Sequence, residues 1–165
     1  MEYLKGLVKQ PFDGKTVALD LSNGSASVMA RDIFESLGAQ VIVSHDQPNG
    51  TNINRDCGST HIENLQSLMY DTGADIGFAY DGDADRCMAV DDEGKVIDGD
   101  HILYLCGRYL KEQGRLNKDT VVTTVMSNMG LYRAFDKLGI RYEQTAVGDK
   151  YVCDCLLYTS DAADE

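Results

Sequence analysis

Short apolar runs alternate with segments of helical periodicity along most of the chain. The run "TVALDL" (16–21) has the length and branched residues of a buried strand, and "SNGSAS" follows as a turn-rich loop. Met29, Ile33 and Leu37 recur at i, i+4 and i+8, predicting a helix over 27–37 that Gly38 stops. "QVIVSH" (40–45) predicts a second strand, and the polar "DQPNGTNINRDCGST" a loop. Ile62, Leu65, Leu68 and Met69 predict a helix beginning near Ser59 or Thr60, and "DIGFAY" (75–80) a third strand. "CMAV" and "KVI" flank "DDEG" as a hairpin would. "GDHILYLCGRYLKEQG" predicts a helix with Ile102, Cys106 and Leu110 on one side. "TVVTTV" (120–125) opens a further strand, Leu131, Phe135 and Leu138 mark a helix, and "IRYEQTA" closes as a strand. This repeated β-α-β order predicts an α/β fold with a mostly parallel sheet. The polar link from Arg115 to Asp119 is the expected domain boundary.

Composition narrows the function classes. The 165 residues are 43% hydrophobic and 25% charged, as expected of a soluble globular protein. A formal charge of −12 argues against a nucleic-acid or anionic-membrane partner. An anionic substrate would need a metal ion or a few local basic groups. No apolar run approaches the roughly 20 residues of a membrane span. "MEYLKGLVKQ" lacks the basic segment and apolar core of a secretory leader. Cys57, Cys87, Cys106, Cys153 and Cys155 are odd in number and form no CxxC pair, which predicts thiols in a reducing cytoplasm.

The densest chemistry lies in "GFAYDGDADRCMAV" (77–90), where Asp81, Asp83 and Asp85 alternate after an apolar run and Arg86 follows. Ligands of open α/β sheets bind beyond the carboxyl ends of the strands, where this loop falls. Three converging carboxylates repel one another unless a cation sits between them. Oxygen-only ligands select a hard ion, Mg²⁺ or Ca²⁺, and three carboxylates leave coordination positions for water or a phosphate oxygen. Arg86 can fork onto a phosphate. An EF-hand loop would need glycine and glutamate where Arg86 and Asp92 stand. A haloacid-dehalogenase-type loop would need threonine or valine where Asp85 stands. A plain acidic turn is the competing structural reading.

"DGDADR" resembles the metal-binding loop of the α-D-phosphohexomutase superfamily, usually D-G-D-G-D-R. Within it, "NINRDCGSTH", "VIDGDHILYL", "TTVMSNMGLYRAF" and "VGDKYV" resemble, in order, segments of the bacterial phosphoglucosamine mutase family, over about Thr16 to Val152. The resemblance implies a three-layer fold, a mixed, mostly parallel sheet flanked by helices. It implies the family's second domain over 1–117, the start of its third over 118–152, and a non-family tail over 153–165. It further implies that Asp81, Asp83 and Asp85 bind Mg²⁺, with a phosphoserine oxygen as a further ligand. Arg86, and Lys150 in "GDK", would hold phosphate, although the family usually has arginine at the latter position. The implied reaction interconverts glucosamine 6-phosphate and glucosamine 1-phosphate for UDP-N-acetylglucosamine and cell-wall precursors. A phosphoserine and a bisphosphate intermediate carry the phosphoryl group. The serine segment, the sugar loop and the fourth domain are not found in this sequence, so the chain alone is expected to be inactive. Its partners would be the phosphosugar and the remaining domains of the same enzyme.

Other residues read more plainly. Ser59 is expected to cap a helix, and Asp98 and Asp100 to cap the next. His45 and His101 are expected at the surface or at a helix start, while His61 lies in a family motif near the cleft. Cys57 is expected to pack structurally, and Tyr104, Tyr109 and Tyr132 to edge the core. Both ends read as truncations, and the tail "CDCLLYTSDAADE" as foreign and poorly packed. Two rivals remain open: a phosphomannomutase or phosphoglucomutase of the same superfamily, and a non-catalytic metal-binding α/β module.

Overall fold

Val17, Ala18 and Leu19 of β1 (Thr16–Asp20) are all fully buried, so this strand has core on both faces. The reason is the strand period of two. Val17, Leu19 and Leu21 point to one side, where Ala26, Ala30 and Phe34 cover them. Ala18 points to the other, with Ala79 and Val90, under Leu65 and Met69. A strand covered on both faces reads as a continuous apolar run rather than an alternation.

In the computed structural model, which describes residues 11–161 and, ahead of them, Tyr3, Gly6 and Val8, the chain forms two compact units, Met1–Ile97 and Asp98–Glu165. Most of the N-terminal stretch read for a leader, and residues 162–165 of the tail, lie outside the described residues. The first unit holds a five-stranded sheet of order β2-β1-β3-β4-β5. β2 (Gln40–Ser44) and β3 (Ile76–Tyr80) run parallel to β1. β4 (Cys87–Asp91) and β5 (Val96–Ile97) complete the sheet antiparallel. Helices α1 (Ala30–Ser36) and α2 (Ile62–Thr72) pack against the sheet. This is the expected mixed α/β sheet flanked by helices. Tyr80 pairs with Cys87, so residues 81–86 are the β3–β4 connection, at the carboxyl edge of the three parallel strands.

Two local expectations are corrected here. The helix expected over 27–37 is a 3₁₀ turn (Ser25–Val28) followed by α1. Its core side is Ala26, Ala30 and Phe34, while Met29 is exposed. The Phe34 ring decides this face by packing between Phe12 and Phe78, at centroid distances of 5.7 and 5.5 Å. Ser59 does not cap α2; it lies inside a 3₁₀ turn (Gly58–Thr60), and His61 holds the cap position without a side-chain bond.

The second unit contains α3 (Gly99–Glu112), β6 (Thr120–Thr124), α4 (Met129–Leu138), β7 (Arg141–Thr145) and α5 (Asp149–Asp161). β6 and β7 pair in parallel. Leu103 and Tyr104 of α3 pack on Leu131, Phe135 and Ile140, and Gly107 lets the helix approach Val121 and Phe135. The core side of α3 is therefore Leu103, Tyr104 and Gly107, whereas Ile102 and Cys106 are exposed. Because α3 shares this core, the chain divides after Ile97 rather than near residue 117. Asp98 caps α3 by accepting from His101 N at 3.1 Å. Asp100 instead ties α3 to α4, accepting from Asn128 N and Nδ2 at 2.9 and 2.6 Å. Tyr132 is buried beside Thr123, while Tyr109 is exposed. The tail is helical through Asp161, as the later part of α5, and it is poorly packed as expected where its side chains are described: Cys153, Asp154, Leu156 and Leu157 are exposed. Among the described residues no helix is long and apolar enough to cross a membrane.

Candidate metal centre

The β3–β4 loop turns tightly on its own backbone. Asp81 N donates to Arg86 O at 3.3 Å and Ala84 N to Asp81 O at 3.1 Å. Ala84 takes φ +61 to complete the turn, a left-handed conformation that disfavours any side chain with a Cβ. One carboxylate oxygen each from Asp81, Asp83 and Asp85 lies within 4.8 Å of the others. Asp81 is buried at 3% exposure, and Asp83 and Asp85 are exposed.

The electrostatics of the loop are divided. Burial pushes the Asp81 carboxyl up, but the bonds it accepts from Arg86, a hydrogen bond with Asp85 and the Arg86 charge together hold it below the usual carboxylate range. The Arg86 bonds come from its Nε at 2.6 Å and its backbone N at 3.1 Å. Asp85 is held above that range by its hydrogen bond to Asp81 and by the charges of Asp83 and Asp81, against weaker help from Arg86 at 3.7 Å. A donor set of acceptor-only oxygens under mutual repulsion fits a hard divalent cation, with positions left for water or a phosphate oxygen.

Two neighbouring loops hold this one in place. Ser25 N donates to Gly82 O at 2.8 Å, and a Cβ on Gly24 would stand 2.4 Å from that same oxygen. On the other side, a Cβ on Gly82 would stand 2.7 Å from Asn54 Nδ2 and Ile53 Cδ1. The acidic loop is thus wedged between the loop after β1 and the loop before α2. Those loops are joined by Asp20, at the end of β1 and fully buried. Its carboxylate accepts from Ser22 N and Gly58 N, both at 3.0 Å. Asn54 N also donates to Ser22 O at 2.9 Å. The sequence reading missed Asp20; its signal was a carboxylate ending an apolar strand directly before "SNG".

The remaining candidates separate. Arg86 is beside the carboxylates. Lys150 is an exposed residue in the first turn of α5, in the second unit. His61 Nδ1 lies 3.3 Å from Glu63 Oε1, a neighbour on its own turn. Cys57 is fully buried, and its thiol is pushed up first by burial and then by Asp20 and Asp56. That suits packing rather than nucleophilic use.

Known proteins share this arrangement of elements and sequence. Family models described as phosphoglucomutase/phosphomannomutase alpha/beta/alpha domain II and domain III match residues 2–94 and 98–162. The chain is 58% identical to a phosphoglucosamine mutase of Lachnoclostridium phytofermentans, over 94% of this chain and 35% of that protein. It is 56% identical to a phosphoglucosamine mutase of Lachnospira eligens over the same shares. The chain therefore spans about a third of the length of these curated relatives. A phosphoglucomutase/phosphomannomutase family protein of Burkholderia thailandensis superposes with a TM-score of 0.80 at 26% identity, over 96% of this chain and 35% of that one.

Proposed function

The chain belongs to the phosphoglucomutase/phosphomannomutase family, spanning its domains II and III, and from that membership we propose that it is the metal-binding part of a phosphoglucosamine mutase. The reaction is the interconversion of glucosamine 6-phosphate and glucosamine 1-phosphate. A phosphoserine outside these 165 residues gives its phosphoryl group to the sugar O1, forming the 1,6-bisphosphate and a free serine hydroxyl. The 6-phosphoryl group then returns to that serine, leaving glucosamine 1-phosphate. A cytoplasmic location is part of the reading; the free thiols of Cys57, Cys87, Cys106 and Cys153 agree with a reducing compartment.

The observation that carries the proposal is the convergence of Asp81, Asp83 and Asp85 within 4.8 Å on a loop braced from both sides. Mg²⁺ held there would neutralise charge on the transferring phosphoryl group. Asp81, fixed by burial, sets the position of the ligand set, while the exposed Asp83 and Asp85 can adjust to an ion. Arg86 supplies a guanidinium for phosphate at the rim of the loop, and Lys150 is proposed to give a second positive charge from the domain III portion. The amino sugar rests on the names of the relatives at 51–58% identity.

Calorimetry should give one Mg²⁺ per chain, with at least about tenfold weaker binding in Asp83→Asn. Equal binding by the two proteins would overturn the metal assignment. The product of the complete reading frame should prefer glucosamine 6-phosphate over mannose and glucose 6-phosphates in kcat/KM. A preference for mannose or glucose phosphate would overturn the amino-sugar reading.

A further inference from the structure

The carboxyl edge of the first unit's sheet carries a second cluster, of different chemistry. Asp20 ends β1, His45 follows β2, and Cys57 precedes the 3₁₀ turn that leads into α2. One ligand atom from each lies within 4.8 Å of the others. Asp20 and Cys57 are 0% exposed, and the His45 side chain is 34% exposed, which leaves an entry from solvent.

Bonds within the protein do not exhaust these donors. Each Asp20 oxygen accepts one backbone N–H, out of about four lone-pair sites on a carboxylate. The Cys57 sulfur has only a long contact from Asn23 Nδ2, at 3.9 Å. His45 Nδ1 is buried 3.1 Å from Asp20 Oδ1, yet makes no hydrogen bond. The two atoms face each other as an ion-pair contact without hydrogen-bond geometry, and a buried ring nitrogen that makes no hydrogen bond is rare in a folded protein. It is held there by the backbone: His45 takes φ +51, and its carbonyl accepts from Asn23 N at 2.6 Å.

We propose that Asp20 Oδ1, His45 Nδ1 and Cys57 Sγ form a site for one borderline-soft divalent cation, Zn²⁺ by its chemistry, with solvent at the open position. Nitrogen and thiolate ligands select zinc-like ions over Mg²⁺. Bonds of about 2.0–2.3 Å in a tetrahedron separate ligand atoms by roughly 3.3–3.8 Å. The His45–Asp20 pair is already at 3.1 Å, and the pairs with sulfur, at most 4.8 Å apart, need to close by about 1.3 Å or less. As the sulfur–metal bond forms, the thiol proton leaves to solvent and nothing is oxidised or reduced. Asn23 Nδ2 then stands as a donor toward the thiolate. An ion there pins the segment 53–58, which also walls Gly82. The site uses none of the acidic-loop carboxylates and does not rest on their proposed role.

The test is titration of the chain with Co²⁺ as the probe, in excess Mg²⁺ to fill the acidic loop. One Co²⁺ should bind with a near-ultraviolet thiolate-to-cobalt band, and Zn²⁺ should displace it. The band should be absent in Cys57→Ser, and Co²⁺ should bind at least about tenfold more weakly to His45→Asn. It should persist when Cys87, Cys106, Cys153 and Cys155 are all changed to serine. Asparagine tolerates the positive φ at position 45, so that variant keeps the test sound if Cys57→Ser fails to fold. No band in the wild type, a band in Cys57→Ser, unchanged affinity in His45→Asn, or loss of the band in the four-serine variant would each overturn the proposal.

Discussion

Gly24→Ala puts the bracing of the acidic loop to a direct test without touching a charge. Gly24 has φ −109, which alanine adopts freely, so the effect is that of the added carbon alone. That Cβ would stand 2.4 Å from Gly82 O and 2.8 Å from Gly82 Cα. Ordinary contacts of these kinds are about 3.3–4.0 Å, so the two loops must part by roughly 1 Å. Both obstructing atoms are backbone and no rotamer relieves them. The bond from Ser25 N to Gly82 O, 2.8 Å long, lies beside the clash and would stretch out of hydrogen-bonding range. Overpacking of about 1–3 kcal/mol and a lost hydrogen bond of about 1 kcal/mol sum to roughly 2–4 kcal/mol. In a unit of this size that lowers the thermal midpoint by about 10 °C or more. Gly82 sits between Asp81 and Asp83, and a shift of about 1 Å is large against the 2.0–2.1 Å bonds that Mg²⁺ demands. Mg²⁺ affinity should therefore fall about tenfold although every ligand remains. Thermal unfolding and calorimetry on Gly24→Ala read both effects, with Gly99→Ala, whose Cβ meets nothing within 4 Å, as the neutral control. A Gly24→Ala chain with unchanged midpoint and unchanged Mg²⁺ affinity would refute the wedge.

Three further outcomes follow from the same loop. Ala84→Gly relieves the strain of φ +61, offset in part by the freer unfolded chain. It should stabilise by up to about 1 kcal/mol in denaturant melts, and a destabilised variant would contradict the strain. The raised Asp85 carboxyl takes up a proton in the folded chain before the unfolded one, so its ionisation opposes folding at neutral pH. Asp85→Asn without added Mg²⁺ should accordingly be more stable than wild type at neutral pH. The gain should vanish as pH falls through the folded carboxyl's titration, and a pH-independent gain would exclude the repulsion. Arg86→Gln removes a cation that bonds Asp81 at 2.6 Å and should bind Mg²⁺ about two- to fivefold more tightly by calorimetry at low salt. Weaker Mg²⁺ binding would show that the guanidinium helps to hold the ligand set.

The elements were legible where packing and periodicity agree. Leu65, Met69 and Leu131, Phe135 repeat at four residues and are buried as read. The hairpin "DDEG" is likewise where its turn residues place it, with Val90 opposite Val96. Sequence reading failed where the buried face is made of small residues. Ala26 and Ala30, not Met29, seat α1, and Gly107, not Cys106, seats α3. A hydrophobicity pattern favours the large side chain, whereas close approach of a helix favours the small one. The domain boundary was misread for the same reason. The polar link near residue 117 is a 3₁₀ turn (Asn117–Asp119) on the surface of the second unit, and the packing of Gly107 against Val121 and Phe135 assigns α3 to that unit.

The candidate site divides in a parallel way between ligands and supports. Carboxylates at alternate positions announce themselves in one short segment, because their charge demands a partner wherever the loop goes. The supports are scattered over Asp20, Gly24, Asn54 and Gly58, and each looks like ordinary loop composition until the loops meet. Gly58 shows why spacing alone could not reveal them. It has φ +78, and a Cβ there would stand 2.4 Å from Tyr80 O and 2.6 Å from Ser22 Cβ. It thus touches two segments more than 20 residues away in either direction. Its N–H bonds Asp20, and the next peptide beyond Tyr80 begins the acidic loop. A loop of three repelling carboxylates holds its shape only if something outside it resists the repulsion. The resistance here is close packing, of Gly24 on the Gly82 backbone, of Gly58 on Tyr80 O and Ser22, and of Gly82 on the Ile53 and Asn54 side chains, and it works only because these three glycines offer no side chain. The charge that identifies the loop in the sequence and the glycines that fix it in space are therefore two halves of one device, and only the first is local.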